Sequence, residues 1–274
     1  MSTERILEVI LRILCGISVL TCLIVIFIYL KATPLRNPAF KIIFWLNVCN
    51  LLKFLTLMMP SSINEFSSVF CELVAYIFYS SSFSGVLLTT LIAYRVYKSV
   101  IFNEPEPESG RNFILIIIFI ISFCVCSLPL FFGLYGPETG SCLLKTSILG
   151  GIFRLAIYYI PALGFSVYCN IVYIKVIRKL KEDELNNQRD LLKLRYFPLI
   201  LVLCFTPELL VRFIQYFGFF NYGIYFIGSF LMRLQGLFDA LAYSFTPPVK
   251  LYIKLLWRKR SKININQSDL FEPN

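Results

Sequence analysis

Lys53, Arg154, Glu208, Arg212, Arg233 and Asp239 stand in or beside long apolar runs. A charge at membrane depth is costly and is retained where it faces a bundle interior, a water-filled cavity or an opposite charge. The chemistry these residues offer is recognition, not bond-making. The chain has no histidine, which removes histidine-ligated zinc, Ser-His-Asp triads and Cys-His dyads. Glu208 and Asp239 fall at different depths, and no nucleophile stands beside a base. The expectation is a protein that is not an enzyme and takes no cofactor or metal. Counted at about 1.5 Å per residue from the span ends, Lys53, Arg154, Arg212 and Arg233 fall in or near one half of the membrane, with Arg12, Glu72 and Glu208. Lys53, Arg154, Glu208, Arg212 and Arg233 are read as the ligand-binding set of a basic cavity for a small anion. The competing reading is internal pairing, for which Glu208 and Arg212 are suitably spaced at i,i+4, with Arg12 and Arg154 reaching to headgroups.

Such residues need helices to hold them in lipid. Of the 274 residues, 58% are hydrophobic and 15% charged, against about 25% charged in soluble domains; mean hydropathy is +0.74. Charge-free stretches predict spanning helices at 13–30, about 40–59 (with Lys53 inside), 73–94, between Arg111 and Glu138, and at 155–174. The turn-like segment Asn221-Tyr222-Gly223 then divides a sixth helix at about 195–218 from a seventh at about 224–247. The fold class is all-α: a seven-helix membrane bundle over 1–248, a short amphipathic surface helix over 249–260 and a tail over 261–274. The first run is too long for a signal-peptide core and reads as a retained helix.

The formal charge of +10 would suggest nucleic acid in a soluble protein. Here the cations gather in one set of loops, from Lys31, Arg36 and Lys41 through Arg95, Lys98 and Arg111 to Lys175–Arg195 and Lys250–Lys262, while Arg5 and Lys145 lie opposite. That asymmetry puts the N-terminus outside, the C-terminus in the cytoplasm and the chain in the plasma membrane, with lipid and not nucleic acid as partner.

Cys71, at the outer start of helix three, and Cys142, in the next outer loop, both face an oxidising compartment and are expected to form a disulfide; the alternative is two free thiols. Asp239 falls near Asn47 and Asn50 if the helices follow the usual receptor order, either as a switch or as a satisfied cluster. Pro161, Pro198, Pro207 and Pro247 interrupt helices five to seven, and Pro207, Asp239 and Tyr243 are the expected switch positions. Val249, Tyr252, Ile253, Leu256 and Trp257 line one face of the surface helix, and Lys250, Lys254 and Arg258 the other.

At 195–245 the pattern Arg195-Tyr196-Phe197-Pro198-Leu199-Ile200-Leu201, Cys204-Phe205-Thr206-Pro207, Arg212, Leu234-Gln235-Gly236-Leu237-Phe238-Asp239 and Ala242-Tyr243 resembles the slime-mould cyclic-AMP receptors and their plant and protist relatives. The chain departs from that pattern at Phe205, Val211 and Asp239, where the family has Trp, Asn and Asn. The resemblance implies a G-protein-coupled receptor for a small extracellular ligand, cyclic-nucleotide-like, with a heterotrimeric G protein as cytoplasmic partner. A small-solute transporter is the alternative, though the halves show no internal repeat. A retinal protein of microbial type would need a lysine in helix seven, and 224–247 has none.

Overall fold

The computed structural model describes residues 3–32, 38–59, 68–102, 111–138, 141–145, 147–182, 222–246, 249–252 and 254, with helical backbone also at 199–200, 203–204, 206–208, 210–211 and 214. Five long rods lead the architecture: α1 (Thr3–Lys31), α2 (Pro38–Met58), α3 (Ser68–Ile101), α4 (Arg111–Phe131) and α7 (Tyr222–Ser244). Between α4 and α7, α5 (Ile148–Phe153) runs through a π-helical turn, Arg154–Tyr159, into α6 (Ile160–Glu182). Six helices among the described residues are long and apolar enough to cross a membrane, α5 and α6 counting as one of them.

Large apolar side chains on the rim face outward. Ile13, Leu20 and Phe27 recur every seven residues along α1, each about 60% exposed, which water would penalise and lipid tails accept. α3 is the central helix and is buried almost throughout Ala75–Thr89. Its serines, Ser80, Ser81, Ser82 and Ser84, are small enough for neighbouring helices to close on it, and Ser81 returns its hydroxyl to the Ile77 carbonyl at 2.6 Å. One core cluster lies toward the far end of the bundle around Phe40, Leu46, Leu88 and Tyr243, and another toward the hairpin end around Tyr79, Tyr135 and Tyr158.

Two local features depart from uninterrupted helix. The fourth charge-free stretch is not helical to its end. α4 stops at Phe131 because Gly133 turns left-handed (φ 59°); its N–H bonds to the Leu130 carbonyl and that of Leu134 to Pro129, both at 3.0 Å, which together cap the helix. The chain then pairs β1 (Tyr135–Glu138) with β2 (Ser141–Leu144), antiparallel with Tyr135 opposite Leu144, so a small hairpin stands among the described helices. The π turn ends just ahead of Pro161. Proline has no N–H for the Ile157 carbonyl and its ring crowds that oxygen; the chain widens there, and the Ile160 N–H reaches back five residues to Leu155.

Helical backbone at Val249–Tyr252, with Val249 buried and Lys250 exposed, begins the segment expected to lie on the membrane surface. Ile253, Leu256, Trp257 and Arg258 lie outside the described residues, as do Arg212, Pro198, Phe205 and Pro247.

Candidate functional site

α2 and α7 run in opposite directions and meet along buried polar stripes. On α2, Asn47, Asn50 and Lys53 follow at intervals of three; on α7, Gln235, Asp239 and Tyr243 follow at intervals of four. All six are at most 3% exposed. Steps of about 4.5 and 6 Å along the two axes keep them nearly level, and two of the three facing couples are hydrogen-bonded rungs. The Lys53 ammonium donates to Gln235 Oε1 at 2.7 Å, and Asn50 Nδ2 donates to Asp239 Oδ2 at 2.8 Å. Lys53 and Asp239 also attract each other through the low-dielectric interior, and the ammonium lies 4.6 Å from the centre of the Phe54 ring. Each buried charge thus has a neutral hydrogen-bond partner, Gln235 or Asn50, and an opposite charge on the neighbouring rung, the condition under which buried charge is tolerated.

α1 closes this corner. Ser18 Oγ donates to the Arg233 carbonyl at 2.5 Å. A methyl group on Gly236 would lie 2.7 Å from the Phe54 ring and 2.9 Å from Ser18 Cβ, so glycine is what lets the three helices approach.

One turn nearer the hairpin, Ser229 Oγ donates to Glu208 Oε2 at 3.1 Å and the Arg233 guanidinium reaches the Ser229 carbonyl at 3.3 Å. The buried Arg233 Nε has no acceptor among the described residues. Pro207 stands in helical backbone directly before Glu208. The structure therefore brings Glu208 and Arg233 together through Ser229, and separately joins Lys53 to Gln235 and Asn50 to Asp239.

Arg154 belongs to another seam. From the π turn its Nη2 donates to the Leu144 carbonyl of β2. Cys71 of α3 and Cys142 of β2 are disulfide-bonded, their Cα atoms 5.2 Å apart, which fixes the hairpin to the central helix. Tyr79 of α3 stacks on Tyr135 at 5.8 Å and meets the edge of Tyr158 at 5.3 Å. The Tyr135 hydroxyl donates to the Cys126 carbonyl at 2.8 Å, and burial pushes this phenol well above its usual range. Arg12, at the end of α1 on this side, pairs with Glu8 at 2.5 Å.

Sequence reasoning passed over Gln235, Ser229 and Ser18, because uncharged polar residues in a span do not announce partners 182, 21 and 215 positions away. The available signal was the matched repeat, 50/53 against 235/239.

Fold and site define a multi-pass α-helical membrane protein with a paired polar interior and a disulfide-held cap over one end. The chain belongs to the slime mold cyclic AMP receptor family, whose pattern matches residues 1–266. It is similar to "G-protein coupled receptor 1" of Arabidopsis thaliana, 22% identical over 245 residues, covering 82% of this chain and 74% of that protein. It is likewise similar to "Cyclic AMP receptor 4" of Dictyostelium discoideum, 22% identical over 253 residues, covering 88% of this chain and 56%, about half, of that receptor's length. The family is one of receptors, not of enzymes.

Proposed function

We propose that this protein is a seven-helix plasma-membrane receptor that senses a small anionic, cyclic-nucleotide-like ligand from outside the cell and activates a heterotrimeric G protein. The match to a receptor family across residues 1–266 carries the reading. The seventh crossing is supplied by the segment around Leu199–Ile214, whose described positions are helical. The hairpin end faces outward, consistent with its disulfide, and the lysine-rich far end faces the cytoplasm.

Within the ligand-binding set we assign Arg233, whose buried Nε has no acceptor among the described residues, and Arg212 as anion anchors, since a guanidinium edge suits carboxylate and phosphate oxygens. Glu208 and Ser229 hold Arg233 in place. Arg154 supports the hairpin rim. Lys53, engaged by Gln235 and Asp239, serves as internal counter-charge. A ligand shifts the helices only by the difference in its affinity for two arrangements, and Pro207, beside Glu208, lets the sixth helix supply one of them.

The test is a panel of cyclic nucleotides and other small anions against the purified full chain in lipid discs. Saturable binding is expected, weakened at least about tenfold, roughly 1.4 kcal/mol, by Arg233→Ala and by Arg212→Ala at unchanged surface expression. Binding with native affinity in both variants would remove the anchor assignment. Ligand accumulation inside sealed vesicles would replace the receptor reading with transport.

A further inference from the structure

The α2–α7 ladder has two hydrogen-bonded rungs and a third that is open. One turn beyond Asn50–Asp239 the register sets Asn47 opposite Tyr243, respectively 0% and 1% exposed. Asn47 spends its amide N–H on its own helix, at the Ile43 carbonyl 2.8 Å away, and its Oδ1 has no partner among the described residues. The Tyr243 ring turns away from that rung and lies edge-on to Phe40, ring centres 5.5 Å apart, and among the described residues its hydroxyl has no partner either. Phe40 lies two turns farther along α2 on the same face as Asn47. A buried donor and a buried acceptor, each able to satisfy the other, thus stand on facing helices with no hydrogen bond between them. Unsatisfied buried polar groups are rare and costly, and a tyrosine hydroxyl changes place by rotation about χ1 between staggered wells.

We propose that Tyr243 is a two-position latch: in the arrangement described it packs on Phe40, and in a second arrangement it swings along α2 and donates its hydroxyl to Asn47 Oδ1, completing the third rung. Aromatic packing holds the first position and a hydrogen bond the second. The pair is poised because each position lacks what the other supplies. Lys53–Gln235 and Asn50–Asp239 keep α2 and α7 in register while the latch moves. The inference deepens the reading of α7 as a switch element, but the motion itself requires neither ligand nor G protein.

The test is ¹⁹F NMR of the full chain in lipid discs, with a fluorotyrosine placed at position 243 alone. Two exchanging signals are expected in the otherwise native protein. Asn47→Leu removes the acceptor and is expected to lower the weaker signal at least about tenfold. Asn47→Asp, which keeps a side-chain oxygen, is expected to preserve it. Fluorophenylalanine at 243, which leaves Asn47 intact and lacks the hydroxyl, is expected to give one signal, and it decides the matter if the Asn47 variants fail to fold. A single signal in the native protein, or two signals of unchanged ratio with fluorophenylalanine, would overturn the latch. Neither result bears on whether the receptor binds an anion or engages a G protein.

Discussion

Lys53 is a charge held inside the bundle by its own protein. It is 2% exposed and bonded to Gln235 across the helix interface, so its removal strands Asp239 as an uncompensated carboxylate. Lys53→Met is expected to cost about 3 kcal/mol, and the double change Lys53→Met with Asp239→Leu is expected to recover most of it, because a buried pair costs far more when halved than when replaced whole. Thermal unfolding in lipid discs measures both; a double variant no more stable than the single one would deny the pairing. Tyr135→Phe tests a smaller contact, the hydroxyl to the Cys126 carbonyl, and should cost about 1 kcal/mol. Because burial raises the folded-state pKa of Tyr135, the folded protein holds that proton more tightly than the unfolded chain. Its contribution is complete below the ordinary phenol range near pH 10 and fades as pH climbs above it. Below about pH 9 the stability difference between the native protein and the Tyr135→Phe variant should be flat.

Among the elements, the hairpin and the α1–α2–α7 corner are most exposed to single changes. The Cys71–Cys142 bond closes a separation of 71 residues, worth about 4 kcal/mol in the chain-entropy account. Cys142→Ser is expected to reduce surface delivery, counted by antibody on intact cells; undiminished delivery would show that Tyr135, Tyr79 and Arg154 hold the hairpin unaided. Gly236→Ala places a methyl against the Phe54 ring and Ser18 Cβ and should cost roughly 1–3 kcal/mol through overpacking, read as lower thermal stability in discs.

The elements were legible in the sequence to different degrees. Charge-free runs marked the positions of the described spans because lipid leaves the backbone few choices. The Cys71–Cys142 bond could be anticipated because the topology put both thiols at one end. The end of α4 was hidden, since the hairpin strand Tyr135-Gly136-Pro137 carries no charge and packs on α3 as if it were membrane. The ladder was half visible. Asp239 and Asn50 invite pairing once helix order is assumed, whereas the bond from Lys53 to Gln235 stayed hidden because the sequence does not show that the two lie level.

At the scale of the molecule, the two larger of the buried clusters among the described residues lie toward opposite ends of the bundle. The hairpin-end cluster of tyrosines and Arg154 braces the cap. The far-end cluster surrounds the C-terminal half of α7, including Ala242 and Tyr243. Between them run the two polar groups, Glu208–Ser229–Arg233 and the α2–α7 ladder, and Arg233 and Tyr243 stand on the same helix. Receptor function requires that this helix have two arrangements with different affinities for what binds at each end. The measurement that addresses this most directly is guanine-nucleotide exchange on a purified heterotrimeric G protein, catalysed by the full chain in lipid discs with and without a cyclic nucleotide. Ligand-dependent acceleration that disappears in Arg233→Ala is the predicted outcome. Exchange that stays at the receptor-free rate, while the same preparation binds the nucleotide saturably, would contradict it.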